Sequence, residues 1–252
     1  MTGFRHALVT GGGSGVGRSI ALALAGAGLD VTICGRRQDA LAAVAAENPR
    51  IFPSAADVTD EAAMEALHRD ASAARGPFDI VVANVGMSGS APAHRTSLAD
   101  WQQTLAVNLT GAFLTVRPAL ASMVERGKGR IIFVASTAGL KGYAYVAPYV
   151  AAKHGVVGLM RALAVETAKS GVTVNAVCPG FVETEMLEQS VQRIVAKTGR
   201  DAESARASLR ATNPQGRFIQ PDEVAASVLY LCSEGASSVT GQTLSLSGGE
   251  TW

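Results

Sequence analysis

Arg5-His-Ala-Leu-Val-Thr-Gly-Gly-Gly-Ser-Gly-Val-Gly-Arg-Ser-Ile-Ala-Leu22 decides how this chain folds. Arg5 to Thr10 is a short apolar run, the signature of a buried strand. Thr10 opens a turn carrying Gly11, Gly13, Gly15 and Gly17, and from Arg18 an apolar helical pattern runs to about Gly28. Glycine permits tight turns and lets backbone approach a phosphate, while a helix N-terminus offers free N–H groups and a positive dipole end. A purely structural turn is the competing reading. Placement directly after the first strand of a βαβ unit favours an anion cradle.

The rest of the chain repeats this rhythm. Strands are expected at Val31–Cys34, from Ile51 toward Asp57-Val58, at Phe78–Asn84, Arg130–Ser136 and Val172–Val177, and at Thr243–Leu246. Between them lie an Ala-rich helix to about Glu47, a helix capped by Thr59, and one opened by the capping box Ser97-Leu-Ala-Asp100. A long helix starts near Tyr149, and a late one has Pro221 in its first turn. Val- and Ile-rich strands alternating with helices make a parallel sheet buried on both faces. The fold class is therefore α/β: a single-domain (1–252), Rossmann-like, doubly wound sheet of about seven strands, with its ligand crevice at the strands' carboxyl ends. Residues 181–213 break the rhythm, being polar and helical with little apolar periodicity, and are read as a small substrate lid. A surface insertion is the plainer reading.

Composition narrows the possibilities. With 48% hydrophobic and 17% charged residues and a net charge of +1, nothing favours nucleic acid or an anionic membrane. Cys34, Cys178 and Cys232 sit apart in apolar runs, with the look of core residues and without metal or disulfide spacing. The chain enters a strand at once, leaving no room for a signal peptide, and no apolar run reaches membrane-spanning length. A cytoplasmic setting is the expectation.

The chemistry is written in Arg130 to Ser170. A buried strand ends at Ser136, and a helix then carries Tyr149 and Lys153 four residues apart, on one face. A tyrosine of ordinary pKa, about 10, holds its proton too tightly to exchange readily at neutral pH. An ammonium about 5 Å away, at an effective dielectric near 20, favours the phenolate by roughly 3 kcal/mol, or about two pKa units. Ser136 would donate a hydrogen bond to a developing oxyanion. Taken singly, these could be a turn serine, an interface tyrosine and a solvated lysine. His154 faces elsewhere on the helix, and His94 lies near the crevice rim.

Thr10-Gly-x-x-x-Gly-x-Gly17, Tyr149-x-x-x-Lys153 and a serine thirteen residues before the tyrosine resemble the short-chain dehydrogenase/reductase family over essentially the whole chain. The resemblance implies a nicotinamide dinucleotide held by Thr10, Gly11, Gly13, Ser14, Gly15, Val16 and Gly17, with Asp57 and Val58 at the adenine. In Ala83-Asn84-Val85-Gly86 only Asn84 and Gly86 match the family's Asn-Asn-Ala-Gly; Pro179, Gly180, Val182 and Thr184 match the nicotinamide and pyrophosphate segment. Asp57 has a competing reading as a helix cap. Asn108 matches the family's fourth catalytic residue, whose water links Lys153 to solvent. An acid at the end of the second strand selects NAD; here Arg36 and Arg37 stand there, and guanidinium binds a 2′-phosphate through two hydrogen bonds. NADP(H) is expected, with Arg36 the main ligand and Arg37 a second; two solvated arginines are the plainer reading, and NAD(H) the lesser cofactor. No metal is implied.

Substrate-lining positions are expected in residues 87–93, 140–146 and 181–187, with Met87, Tyr143, Phe181, Met186 and Leu187 beside Ser136 and Tyr149. Lys141 and Arg95 near the mouth could meet a carrier phosphate, or be solvated. Ala147-Pro-Tyr149, Lys153-His-Gly-Val-Val-Gly158 and Asn175 to Thr184 resemble β-ketoacyl and aromatic polyketide ketoreductases, which implies reduction of a β-ketoacyl thioester. The competitors are a secondary-alcohol or 3-hydroxy-acid dehydrogenase working oxidatively, possible with NAD, and a cofactor sensor without turnover. Relatives usually form tetramers through the helices after strands four and five and through the C-terminal strand. Trp252 is expected to pack on a neighbouring subunit, and Ser247 stands where relatives often carry aspartate.

Overall fold

The computed structural model describes residues 3–251; Trp252 lies outside them. Seven parallel strands form one sheet: β1 (His6–Thr10), β2 (Asp30–Gly35), β3 (Ile51–Ala55), β4 (Ile80–Ala83), β5 (Gly129–Val134), β6 (Val172–Pro179) and β7 (Thr243–Leu246), in the order 3-2-1-4-5-6-7. Side chains alternate across a strand, and here both sets are buried. Leu8, Val81, Ile131 and Phe133 face one layer, with α3 (Glu61–Arg75), α5 (Gly111–Glu125) and α6 (Ala147–Thr167). Ala7, Val9, Ile80, Val82 and Ile132 face the other, with α1 (Gly15–Gly26), α2 (Gln38–Ala45) and α9 (Pro221–Cys232). The order reverses between β1 and β4, which opens a crevice at their carboxyl ends. Cys34, Cys178 and Cys232 are buried free thiols.

Three local expectations need correction. The cap of α3 is Asp60, whose carboxylate accepts from Ala63 N at 3.0 Å; Thr59 instead donates its N–H and hydroxyl to Asp57 Oδ1 at 2.9 and 2.8 Å. Adjacent residues can both cap, and backbone direction chooses between them. Before α4 (Leu98–Leu105), Ser97 caps as expected, but Asp100 turns its carboxylate to the Ser97 hydroxyl, 2.6 Å away. The polar stretch after β6 forms α7 (Glu185–Thr198) and α8 (Ala202–Arg210), with a sparse apolar side of Leu187, Val191 and Ala205. One residue per turn among charges hides such a side from a periodicity count.

One run does reach membrane-spanning length and apolarity, contrary to the sequence reading: Leu98–Glu125. It is a core element, burying Leu114, Val116, Ala119 and Met123 against the sheet and pairing Arg117 with Glu61 and Glu65.

Candidate active site

The glycine turn meets its helix under tight constraint. Gly11 has φ +69°, and a Cβ on Gly17 would stand 2.1 Å from Gly11 O. Ser14, the N-cap of α1, makes no side-chain capping bond, so the first-turn N–H groups remain open to an anion. Asn84 locks the turn to β4, its backbone N–H donating to Thr10 Oγ1 at 3.1 Å and its Nδ2 to Thr10 O at 2.9 Å. Thr184 also arrives here, its Cγ2 3.2 Å from a Cβ built on Gly15. These features fit a dinucleotide phosphate.

Arg36 and Arg37 both lie exposed after β2. Arg37 reaches the turn, with Nη2 3.4 Å from Ser14 Oγ and 3.8 Å from Glu185. Arg36 acts on Asp57, whose carboxyl is held low by the Thr59 hydrogen bonds first and by Arg36 last. The Val58 side chain is buried against Gly111.

Ser136 follows β5 and caps a single 3-10 turn, accepting from Ala138 N at 3.1 Å. Pro148 helps start α6, whose first turns present Tyr149 and Lys153. Burial pushes the Tyr149 phenol up, and the neighbouring Ser136 hydroxyl acts the other way. Lys153 is 3% exposed, and burial lowers it to about 8. Its Nζ donates to Val134 O at 2.9 Å and lies 5.7 Å from the centre of the Tyr149 ring. Asn108 sits in a π-helical segment, Ala106–Thr110, between α4 and α5. Its Nδ2 donates to Met87 O and Thr104 O, both at 2.9 Å, and its Oδ1 accepts from Met87 N at 3.2 Å. A Cβ on Gly86 would lie 3.1 Å from Asn108 Oδ1 and 3.6 Å from Lys153 Nζ. Gly86 therefore keeps a narrow space open between those two groups.

Around this centre, Met87 and Met186 are partly exposed and Phe181 is half-buried. Leu187 is corrected: at 2% exposure it belongs to the packing beneath α7. Val182 bridges to Ile219. The Tyr143 hydroxyl is engaged by Thr137 and Glu250, and Lys141, its side chain still partly exposed, pairs with Glu250. Arg193 of α7 donates to Ser88 O at 2.7 Å, and Lys197 to Ser90 O, drawing α7 onto the loop after β4. Ala91 N then donates to Tyr145 O at 2.8 Å. Tyr145 holds φ +68°, a conformation uncommon for a residue with a side chain. His94, Arg95 and His154 are exposed, and His154 Nδ1 contacts its own helix at Val150 O. Glu250 and Thr137 carry no motif that would have marked them beforehand. A separate cavity of about 340 Å³ between α3 and α5, lined by His68, Phe78 and Pro118, shares none of these residues.

The strand order, reversing between β1 and β4, is that of the doubly wound α/β folds. Comparison with known proteins narrows this class to one family. The family described as short chain dehydrogenase matches residues 5–194, and the chain belongs to the short-chain dehydrogenase/reductase family of oxidoreductases, which use NAD(P). It is 39% identical to the D-beta-hydroxybutyrate dehydrogenase of Cupriavidus necator, covering 99% of this chain and 98% of that protein. Against the acetoacetyl-CoA reductase of Rhizobium meliloti the identity is 36%, covering 98% of each. The solved structure of an actinorhodin polyketide ketoreductase variant with NADPH superposes with a TM-score of 0.95 at 39% identity, over 98% of this chain and 97% of that one.

Proposed function

We propose that this chain is an NADP(H)-dependent reductase of ketones, with β-ketoacyl thioesters as its leading substrate class. The observation that carries the reading is the convergence of Ser136, Tyr149, Lys153 and Asn108 beside Gly86, at the strand edge that also holds the glycine turn.

In this reading Thr10 to Gly17 hold the pyrophosphate, Asp57 and Val58 the adenine, and Asn84, Gly86, Pro179, Gly180, Val182 and Thr184 the nicotinamide half. The bound nicotinamide supplies the hydride for the carbonyl carbon. Tyr149 gives its proton to the carbonyl oxygen as negative charge develops there, and burial keeps that proton on the phenol until it is needed. Ser136 donates a hydrogen bond to the same oxygen. Lys153, as an ammonium, stabilises the resulting phenolate and passes a proton back to it, drawing a replacement from solvent along the Asn108 side. Arg37 and Arg36 favour a 2′-phosphate, and the likeness to an NADPH-bound ketoreductase supports the same choice. Among the relatives, acetoacetyl-CoA is itself a β-ketoacyl thioester. The pairing of Lys141 with Glu250 leaves less charge for an anionic substrate. Helices α7 and α8 serve as the lid, in one domain with the sheet.

The second reading, oxidation of a 3-hydroxy acid with NAD, is favoured by the hydroxybutyrate dehydrogenase relative. Following nicotinamide absorbance with NADPH and NADH against acetoacetyl-CoA, cyclic diketones and 3-hydroxybutyrate separates the two. Equal use of NADH would remove the cofactor choice, and silence across the panel with cofactor still bound would favour a sensor. We also propose a cytoplasmic homotetramer assembled through α4, α5 and α6, supported by the exposed Leu98, Trp101, Phe113 and Val165; a monomer in light scattering would overturn it.

A further inference from the structure

Glu250 has no part in the chemistry above, yet its side chain is only 4% exposed. It lies on the tail after β7, and its carboxylate touches two distant segments. Oε1 is 2.7 Å from the Tyr143 hydroxyl and 3.0 Å from Lys141 Nζ, both on the loop between β5 and α6. Oε2 is 3.3 Å from where a Cβ on Gly180 would stand, at the end of β6. The tail itself is anchored: Gly180 N donates to Leu246 O at 3.0 Å, and Thr251 N to Ser247 Oγ at 3.1 Å. Gly248 is pressed so closely on Asn213 that a Cβ there would meet Oδ1 at 1.9 Å. Glu250 is thus held from its own side before it holds anything else.

The Tyr143 oxygen lies 2.7 Å from both Thr137 Oγ1 and Glu250 Oε1. A phenol has one proton and a carboxylate has none to give, so Tyr143 donates to Glu250 and accepts from Thr137. The chain of bonds runs from Thr137, next to Ser136, through Tyr143 to Glu250, where Lys141 also ends. Burial and the Glu250 contact both push the Tyr143 phenol up, which keeps its proton in this chain. A buried carboxylate is tolerated only where partners replace its lost hydration. Here those partners come from one wall of the cleft.

We infer that Glu250 is a positioning residue, whose carboxylate fixes Tyr143 and Lys141 so that the wall beside Ser136 and Tyr149 is preformed for the ketone. The role in substrate binding rests on the ketone-reductase reading; the ordering of the wall does not. Amide hydrogen exchange by mass spectrometry and steady-state kinetics test the two parts, using Glu250→Ala, Glu250→Gln, Tyr143→Phe and the Tyr143→Phe/Glu250→Ala pair. In Glu250→Ala the amides of residues 140–146 should exchange about tenfold faster, the least that a charge-assisted hydrogen bond is worth, with the strands unchanged. KM for the ketone should rise by about the same factor while kcat stays within about threefold. Glu250→Gln, which keeps an acceptor for Tyr143, should recover most of the KM, and the double variant should be no worse than Glu250→Ala. Unchanged exchange in 140–146, in folded Glu250→Ala, overturns the inference; so does an equal fall of kcat with unchanged KM. If the wild-type protein reduces no ketone, the reductase reading fails while the exchange measurement still decides the role of Glu250.

Discussion

Lys153 Nζ stands 5.7 Å from the centre of the Tyr149 ring and is tethered to Val134 O at 2.9 Å, so the ammonium approaches the phenol from the strand side. Burial moves the two groups in the directions that disfavour charge, Tyr149 up and Lys153 down to about 8. The profile of kcat/KM reports the free enzyme. It should therefore fall as pH rises through about 8, where Lys153 loses its proton and Tyr149 still keeps its own. Tyr149→Phe should lower kcat/KM by about 10²–10⁴-fold, with NADPH affinity, read by fluorescence titration, unchanged. A profile flat to pH 10, or an active Phe variant, would remove these roles.

Cofactor choice should follow Arg37 more than sequence alone suggests, because Arg37 is the guanidinium that reaches Ser14. Arg37→Ala should raise KM for NADPH by about tenfold or more, the scale of a charged hydrogen bond, and leave KM for NADH nearly unchanged. Arg36→Ala should act more weakly. Parallel changes with both cofactors would mean that neither arginine reads the 2′-phosphate.

Much of this was legible in the chain. A sheet covered on both faces writes its strands as apolar runs, and a helix puts residues four apart on one face, so β1–β6, Ser136, Tyr149 and Lys153 could be found. What stayed hidden depends on contacts across long sequence distances. Tyr143 and Glu250 are 107 residues apart, and Ser247-Gly-Gly-Glu250 carries no periodicity to announce a buried carboxylate. The π-helical segment around Asn108 is tied to the backbone of Met87, 21 residues earlier, which no local propensity encodes. Leu187 was misplaced because an apolar residue beside a cleft and one beneath a helix look alike in sequence.

Two glycines of α1 should respond in opposite directions to the same methyl group. At Gly17 an added Cβ meets the Gly11 carbonyl and Asn84, neither free to retreat. Gly17→Ala should cost about 1–3 kcal/mol as an overpacked site and weaken NADPH binding. At Gly26, near the end of the helix, a Cβ meets nothing within 4 Å. Gly26→Ala should add about 0.5 kcal/mol by reducing the freedom of the unfolded chain. Urea unfolding of both variants checks the sign at each position.

Acid should destabilise the fold through histidines remote from the catalytic centre. His68 is 6% exposed, donates its Nε2–H to Thr115 O over 2.9 Å, and packs edge-on to Phe78, with burial lowering it to about 4. His6, on the other side of Phe78, is also lowered by burial. Between the ordinary histidine pKa and the lowered one, the unfolded chain binds a proton that the folded protein refuses. Stability is therefore complete above about pH 6.5 and is lost as pH falls, by about 2 kcal/mol at pH 5 from His68 alone. The other two histidines, His94 and His154, are exposed. Unfolding free energies of wild type and His68→Gln at pH 7 and pH 5 test this: the variant should show a flatter dependence, and an equally steep one would assign the acid sensitivity elsewhere.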